Sequence, residues 1–373
     1  MTSAKVRVLH VLPSIRGYGA EHQVVELLKR LPSERIEPVL LTIYEPAPEE
    51  REGLPFPVFH VGRKTRKDML FLGRAVGEIR RIAPAIVHTH THVGKYWGRL
   101  AARIAGVPLI VHTEHNPCDF RRTALERVAD RVLDPCTARV VTFFREQGAS
   151  LSSFEHLPPA KMVIIPNGLA DVPEGCADRD ATRARLGFRP GEHALFVVGR
   201  MEFQKNQSLA LRTLAALRED VLTKTLLVFV GSGRDETLLR ALARAIDVEH
   251  RVRFLGYRTD VSAILGAADL VLMTSWFEGM PLTLLEAMLA SVPIVSTPWV
   301  GARNMLGEGR YGFLAPDFEP AHVASVVERA LAHPLACRRL AERARRHADE
   351  EYGIGRMVEA HRRLYVRLQE ARA

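Results

Sequence analysis

Cysteine is scarce in this chain. Its four residues, Cys118, Cys136, Cys176 and Cys337, are scattered through 373 positions with no C-x-x-C spacing. That pattern offers neither a disulfide framework nor a zinc site and fits a reducing compartment. No apolar run is long enough to span a bilayer. No signal peptide is expected, because Met1-Thr2-Ser3-Ala4-Lys5 leads straight into a strand-like run. The expected location is therefore cytoplasmic. Low-complexity segments and short internal repeats are also lacking. What remains is an ordinary globular composition, 47% hydrophobic and 25% charged, at a length that favours two domains over one. The net charge of +9 points to anionic partners such as phosphate groups or acidic lipid surfaces. No nucleic-acid motif accompanies it, and much of the arginine falls on helix faces, as at Arg339, Arg343 and Arg346. Nucleic acid is not an expected partner.

Apolar runs of strand length alternate with longer helical patterns throughout. In the first half the runs are residues 6–12, 36–42, 58–61, 85–90, 109–113, 138–143 and 162–165. In the second they are 194–198, 226–230, 252–254, 270–273, 294–296 and 312–314. This rhythm argues for an α/β protein with parallel sheets covered on both faces. The polar stretch Asp171-Val172-Pro173-Glu174-Gly175-Cys176-Ala177-Asp178 reads as a linker. The expectation is two Rossmann-like domains, residues 1–170 and 171–354, facing each other across a cleft. A last helix, about residues 355–373, would pack back on the first domain.

The segment Phe277-Glu278-Gly279-Met280-Pro281-Leu282-Thr283-Leu284-Leu285-Glu286 is the most informative. Two carboxylates stand seven residues apart after an apolar run, 268–273, that reads as a buried strand. Pro281 suits the first turn of a helix, which Leu282 to Ala290 then continue. Helical side chains tilt toward the N-terminus, so Glu286 leans back over Leu282 and Thr283, with Glu278 on the loop just before. Both carboxylates can then face one ligand at the helix start, among unpaired backbone N–H groups. Carboxylates accept hydrogen bonds from diols and helix starts take anionic oxygens, and a sugar nucleotide needs both. An isolated pair at this spacing would instead read as a helix cap and a solvated surface residue.

Gly199 and Arg200 end another apolar run, with Lys205 and Asn206 following. Gly199 permits close backbone approach and Asn206 can cap the helix from about Gln207; the two cations suit a phosphate site, though taken alone they read equally as solvated loop cations. Val230-Gly231-Ser232-Gly233 is a glycine-rich turn without the third glycine, or the later acidic residue, of a dinucleotide fingerprint. It reads as a phosphate- or nucleotide-side turn. Gly17 and Gly19, after the first strand, could let backbone approach a ligand at the next helix. His88, His90 and His92 alternate along one strand and should share a face, while His112 and His115 close the next. A metal site is the sharper reading of these histidines, but no later set of ligands completes one. The expectation is no metal, with His115 contacting substrate.

In this order the motifs resemble glycosyltransferase family 4, retaining enzymes of the GT-B fold. The resemblance runs over nearly the whole chain. It takes in the N-terminal glycine-rich turn, Ile86-Val87-His88-Thr89-His90, Ile165-Pro166-Asn167-Gly168, Gly199-Arg200 with Lys205-Asn206, and Val230-Gly231-Ser232-Gly233. Phe254-Leu255-Gly256-Tyr257, Glu278 with Glu286, and Gly312-Phe313-Leu314 complete it. It implies that Arg200 and Lys205 hold the donor diphosphate and stabilise the departing nucleoside diphosphate without a metal or other cofactor. It implies that Glu286 accepts the ribose hydroxyls, and that Glu278 with Gly279, Met280, Pro281 and Leu282 holds the donor sugar. Gly17 and Gly19 would line the diphosphate, His115 would contact the sugar, and Tyr257 and Arg258 the base. The reaction would be front-face transfer of a sugar to a hydroxyl acceptor, in polysaccharide or glycolipid synthesis. The chain departs from the family pattern at Tyr18, Thr274 and Ser291, where glycine, proline and glycine are usual.

Two other readings compete. A sugar-nucleotide epimerase or hydrolase of the same fold would use Glu114 or His115 to activate water. A metal-dependent hydrolase would use His88, His90 and His92. A silent sugar-nucleotide binder fits poorly with Arg200, Lys205, Glu278 and Glu286 all present. The segment Gly62–Arg74 places Arg63, Lys64, Arg66 and Lys67 before Met69, Leu70, Phe71 and Leu72. It reads either as the start of a helix whose apolar face packs on the first sheet with its cations solvated, or as a stretch resting on an anionic membrane at its inner face.

Overall fold

The computed structural model describes residues 5–16, 19–65, 67–116, 123–169 and 179–372. The expected linker 171–178 and Gly17, Tyr18 and Arg66 lie outside them. The chain divides into two compact units, Met1–Gly168 with Ile354–Ala373, and Leu169–Gly353.

The first unit is built on a seven-stranded parallel sheet: β1 (Val6–Leu12), β2 (Ile36–Thr42), β3 (Val58–His60), β4 (Ile86–His90), β5 (Leu109–Thr113), β6 (Arg139–Thr142) and β7 (Met162–Ile164). Its spatial order is β3-β2-β1-β4-β5-β6-β7. The second has six: β8 (His193–Val198), β9 (Thr225–Val230), β10 (Val252–Phe254), β11 (Leu270–Met273), β12 (Ile294–Ser296) and β13 (Phe313–Leu314). Their order is β10-β9-β8-β11-β12-β13. Every expected strand is present. Their unbroken Val, Ile and Leu content reflects burial on both faces, as in Leu226–Val230, where every side chain is buried.

In each sheet the strand order reverses once, at β1 with β4 and at β8 with β11. Beyond the carboxyl ends of such strands the connecting loops part and leave a crevice, the usual ligand position in open α/β sheets. The segments after β8 and β11 are those carrying Gly199-Arg200 and Thr274–Glu278. The C-terminal helix Ile354–Glu370 belongs to the first unit. Met357, Val358, Leu364, Tyr365 and Leu368 share a core with Val8, Leu12, Ile36 and Val111.

Local details differ from expectation. Pro281 (φ −71°, ψ 131°) is the extended cap of the helix Leu282–Leu289 and not part of its first turn. Asn206 precedes the helix Gln207–Ala215 with φ 49° and makes no side-chain cap. Its Oδ1 instead accepts from the Ser208 hydroxyl at 3.0 Å. No helix among the described residues is long and apolar enough to cross a membrane.

Candidate active site

The loop after β8 brings Lys205 back over the strand end. Gly199 has φ +142°, and a Cβ there would lie 3.2 Å from Lys205 Cε, so glycine leaves room for the lysine stem. Hydrogen bonds fix this loop to the one after β11. Trp276 N–H donates to the Gln204 carbonyl at 2.9 Å, and Thr274 Oγ1 to the Lys205 carbonyl at 3.1 Å. Lys205 Nζ then lies 2.6 Å from Glu278 Oε1. Glu278 is buried and also accepts from Ser275 Oγ at 2.7 Å and Gln204 Nε2 at 3.2 Å. Gln204 and Ser275 were not singled out in the sequence. Ordinary loop residues carry no periodic signal, and only the folded loops show what they touch.

Glu286 projects from the helix after Glu278. Burial pushes its carboxyl above the usual range, and the nearby Lys205 charge opposes that rise. Lys205 thus interacts with both carboxylates of the E-x7-E segment. Arg200, on the same strand end, pairs with Glu202 at 3.1 Å and keeps about 40% of its side chain exposed. Two cations and two carboxylates therefore gather beyond β8 and β11.

The glycine turn after β9 has a different local cause from the one expected. Gly231 has φ +133°, and a Cβ there would overlap the Gly199 carbonyl oxygen; one on Gly233 would overlap the Met201 carbonyl. These glycines let the two loops touch, backbone to backbone. Gly301 does likewise beneath Gly279, whose carbonyl lies 2.6 Å from where a Gly301 Cβ would stand. Met280 is buried at this turn, with Pro281 and Leu282 partly so. Tyr257 is 70% exposed, and Arg258 forms a bidentate pair with Asp260 at 2.6 and 2.7 Å.

In the first unit, Gly19 opens the helix Gly19–Arg30 at an exposed position. The histidines gather, though not as the alternation implied. His92 leaves the strand, is exposed, and pairs with Glu126 at 2.7 Å, because β4 ends at His90. His10 of β1 takes its place beside His88 and His90. These three could come within reach of one ion, yet each of their six ring nitrogens already has a hydrogen-bond partner. His10 Nδ1 meets His90 Nε2, His90 Nδ1 meets His115, His10 Nε2 and His88 Nδ1 meet Tyr365, and His88 Nε2 meets Thr113. This donor set fits a hydrogen-bonded array better than a metal centre. A second acidic group, Asp130, Asp134 and Glu155, is occupied by cations: Arg99 binds both aspartates and Lys95 binds Glu155. Glu114, expected as a water-activating base in the hydrolase reading, is buried with Lys95 Nζ 2.7 Å away. That pairing neutralises it. His115 lies just past the end of β5, half-buried.

The description "Glycosyltransferase Family 4" matches residues 18–171, and "Glycosyl transferases group 1" matches 178–347. An Escherichia coli UDP-Gal:alpha-D-GlcNAc-diphosphoundecaprenol alpha-1,3-galactosyltransferase is 26% identical over 332 residues, 84% of each chain. A D-inositol 3-phosphate glycosyltransferase of Salinispora arenicola is 30% identical over 289 residues, 70% of this chain and 64% of that protein. Among solved structures, Anabaena HepE in complex with UDP and glucose aligns with a TM-score of 0.82 at 19% identity, over 98% of this chain and 100% of HepE. Two parallel-sheet units, that structural likeness and the two matches in tandem lead to one conclusion: the chain is a glycosyltransferase of group 1, of the family 4 type, with the GT-B fold.

Proposed function

We propose that the chain transfers a sugar, with retention, from a nucleotide-diphosphate donor to a hydroxyl acceptor. The observation that carries this is the grouping of Arg200, Lys205, Glu278 and Glu286 beyond β8 and β11. Arg200 and Lys205 supply positive charge for the diphosphate, so no metal is needed to neutralise it. Glu286 accepts the ribose hydroxyls. Glu278 and the turn Gly279–Leu282 hold the sugar, and Tyr257 and Arg258 border the base. His115 hydrogen-bonds a sugar hydroxyl. In the transfer, the acceptor oxygen bonds to the anomeric carbon as the bond from that carbon to the phosphate oxygen breaks. The electron pair leaves with the nucleoside diphosphate, and a phosphate oxygen of the donor takes the acceptor proton. The relatives' names support a nucleotide-sugar donor: one is a UDP-Gal transferase, and HepE is seen with UDP-glucose.

Calorimetry separates the assigned roles. Glu286→Gln should weaken UDP binding, whereas Glu278→Gln should weaken mainly the intact UDP-sugar. UDP affinity left unchanged by Glu286→Gln refutes the ribose assignment. Turnover should survive EDTA; activity lost to EDTA and restored by a divalent ion refutes the metal-free reading.

Membrane contact through the segment 63–72 forms part of the same proposal. Met69 and Leu70 are 56% and 80% exposed beside Arg63, Lys64 and Lys67, while Phe71 is buried under the Arg63 guanidinium. A basic stretch with an exposed apolar pair suits an anionic bilayer. Wild-type protein should sediment with anionic vesicles at low salt, and a variant with Arg63, Lys64 and Lys67 changed to Ser should not. Equal sedimentation of both removes the segment from the proposal.

A further inference from the structure

Rings of the first unit form a hydrogen-bonded chain that runs from the buried Tyr365 to the half-buried His115. Tyr365, on the C-terminal helix, has its hydroxyl 2.6 Å from His88 Nδ1 and 3.2 Å from His10 Nε2. His10 Nδ1 lies 3.0 Å from His90 Nε2, and His90 Nδ1 lies 3.2 Å from His115 Nε2. His88 Nε2 lies 2.7 Å from Thr113 Oγ1. Burial lowers His10 to about 3 and His115 to about 4, and holds His88 and His90 well below the ordinary value. All four rings are therefore neutral near pH 7. A cavity beside His90 and His115, lined also by Gln23, Thr113, Asn167 and His361, measures about 20 Å³. That is room for one water and too little for a solvent chain.

A neutral imidazole carries one N–H and one lone pair. Two nitrogens in hydrogen-bond contact share one proton, so the protons along His10, His90 and His115 all point the same way. Two arrangements satisfy this. In the first, each ring donates from Nε2, and His115 Nδ1 is left as an acceptor. In the second, each ring donates from Nδ1, and His115 Nδ1 carries the proton. Tyr365 decides between them, because its hydroxyl has a single proton to give. The 2.6 Å contact to His88 is shorter than N–H donors usually make and the 3.2 Å contact to His10 is longer than O–H donors usually make, while the 2.7 Å contact of His88 with Thr113 suits either donor. The hydroxyl proton therefore goes to His88 Nδ1, and His88 Nε2–H donates to Thr113. His10 must then donate from Nε2 to the Tyr365 oxygen, which selects the first arrangement.

We infer that Tyr365, His10 and His90 are positioning residues that hold His115 in its Nε2–H tautomer, so that Nδ1 is offered as an acceptor to a substrate hydroxyl. Naming that hydroxyl as a sugar's rests on the proposed function; the tautomer itself does not. A helix from the end of the chain thus sets the hydrogen-bonding sense of a site residue three rings away.

Nitrogen-15 NMR of the full-length protein, labelled at histidine, tests this. In the wild type, His10, His90 and His115 should each show a protonated Nε2 and an unprotonated Nδ1. Tyr365→Phe should turn His115 into a tautomer mixture and lower kcat with UDP-sugar by about two- to tenfold, the worth of one neutral hydrogen bond. UDP affinity should be unchanged. A wild-type His115 protonated at Nδ1, or ring signals unaltered by Tyr365→Phe, overturns the inference. If Tyr365→Phe does not fold, the wild-type spectrum alone decides. If no nucleotide sugar is bound or turned over, the proposed function fails and the spectrum still reads the tautomer.

Discussion

Lys205 and Glu278 form an ion pair of 2.6 Å in which the carboxylate is 7% and the lysine 19% exposed. The residue assigned to the diphosphate and the residue assigned to the sugar thus hold each other in place. Each pre-orients the other, and each would leave a poorly hydrated charge behind if removed.

Lys205→Met should therefore destabilise the second unit as well as abolish turnover, by about 3 kcal/mol. Adding Glu278→Gln should recover part of that stability without recovering activity. Urea unfolding of the two single variants and the double variant measures the coupling. Strictly additive losses would show that the pair does not act as a unit.

The histidine array predicts a specific acid sensitivity. The folded values of His10, His115 and His361, about 3, 4 and 4, lie below the ordinary 6.5. Between these limits the unfolded chain binds more protons than the folded one, so stability falls as pH falls. The contribution is complete above about pH 6.5 and is lost on acidification toward pH 3–4. Thermal unfolding from pH 7.5 to 4.5 should show a steep fall in Tm that His10→Gln makes shallower. Parallel profiles would place the acid sensitivity elsewhere.

Ser291 sits where this helix end calls for glycine. After the helix Leu282–Leu289, Ser291 N–H donates to Met288 and Val292 N–H to Ala287, both at 3.0 Å, the double closure of a Schellman end. Ser291 holds φ 53° to make it. Left-handed backbone costs an L-residue about 1–2 kcal/mol, partly offset by glycine's greater freedom when unfolded. Ser291→Gly should thus stabilise the protein by about 1 kcal/mol, raising Tm by about 2–4 °C. A Tm that falls would mean the serine side chain contributes more than its strain costs.

Much of the architecture was legible in the residue order. Strands such as Leu226–Val230 are continuous Val, Leu and Phe runs because both faces are covered, and that pattern is local. The E-x7-E spacing likewise placed both carboxylates around one helix start. Expectation failed where a side chain depended on where its strand ends. Period-2 alternation put His92 with His88 and His90, but β4 stops at His90 and His92 turns out to Glu126. Asn206 was expected to cap a helix, but its φ of 49° turns the side chain to Ser208.

The sequence by itself determined which segments are strands and which helices, and which loops carry the charged residues, because burial periodicity and turn chemistry act within a few residues. Only the tertiary structure decided the pairings. His10 meets Tyr365 across 355 positions, and Gln204 meets Glu278 across 74. Gly231 is glycine because a second loop presses on it. Such contacts depend on strand order and on the packing of the last helix against β1, which are set by the burial of the whole core and not by any local run of residues.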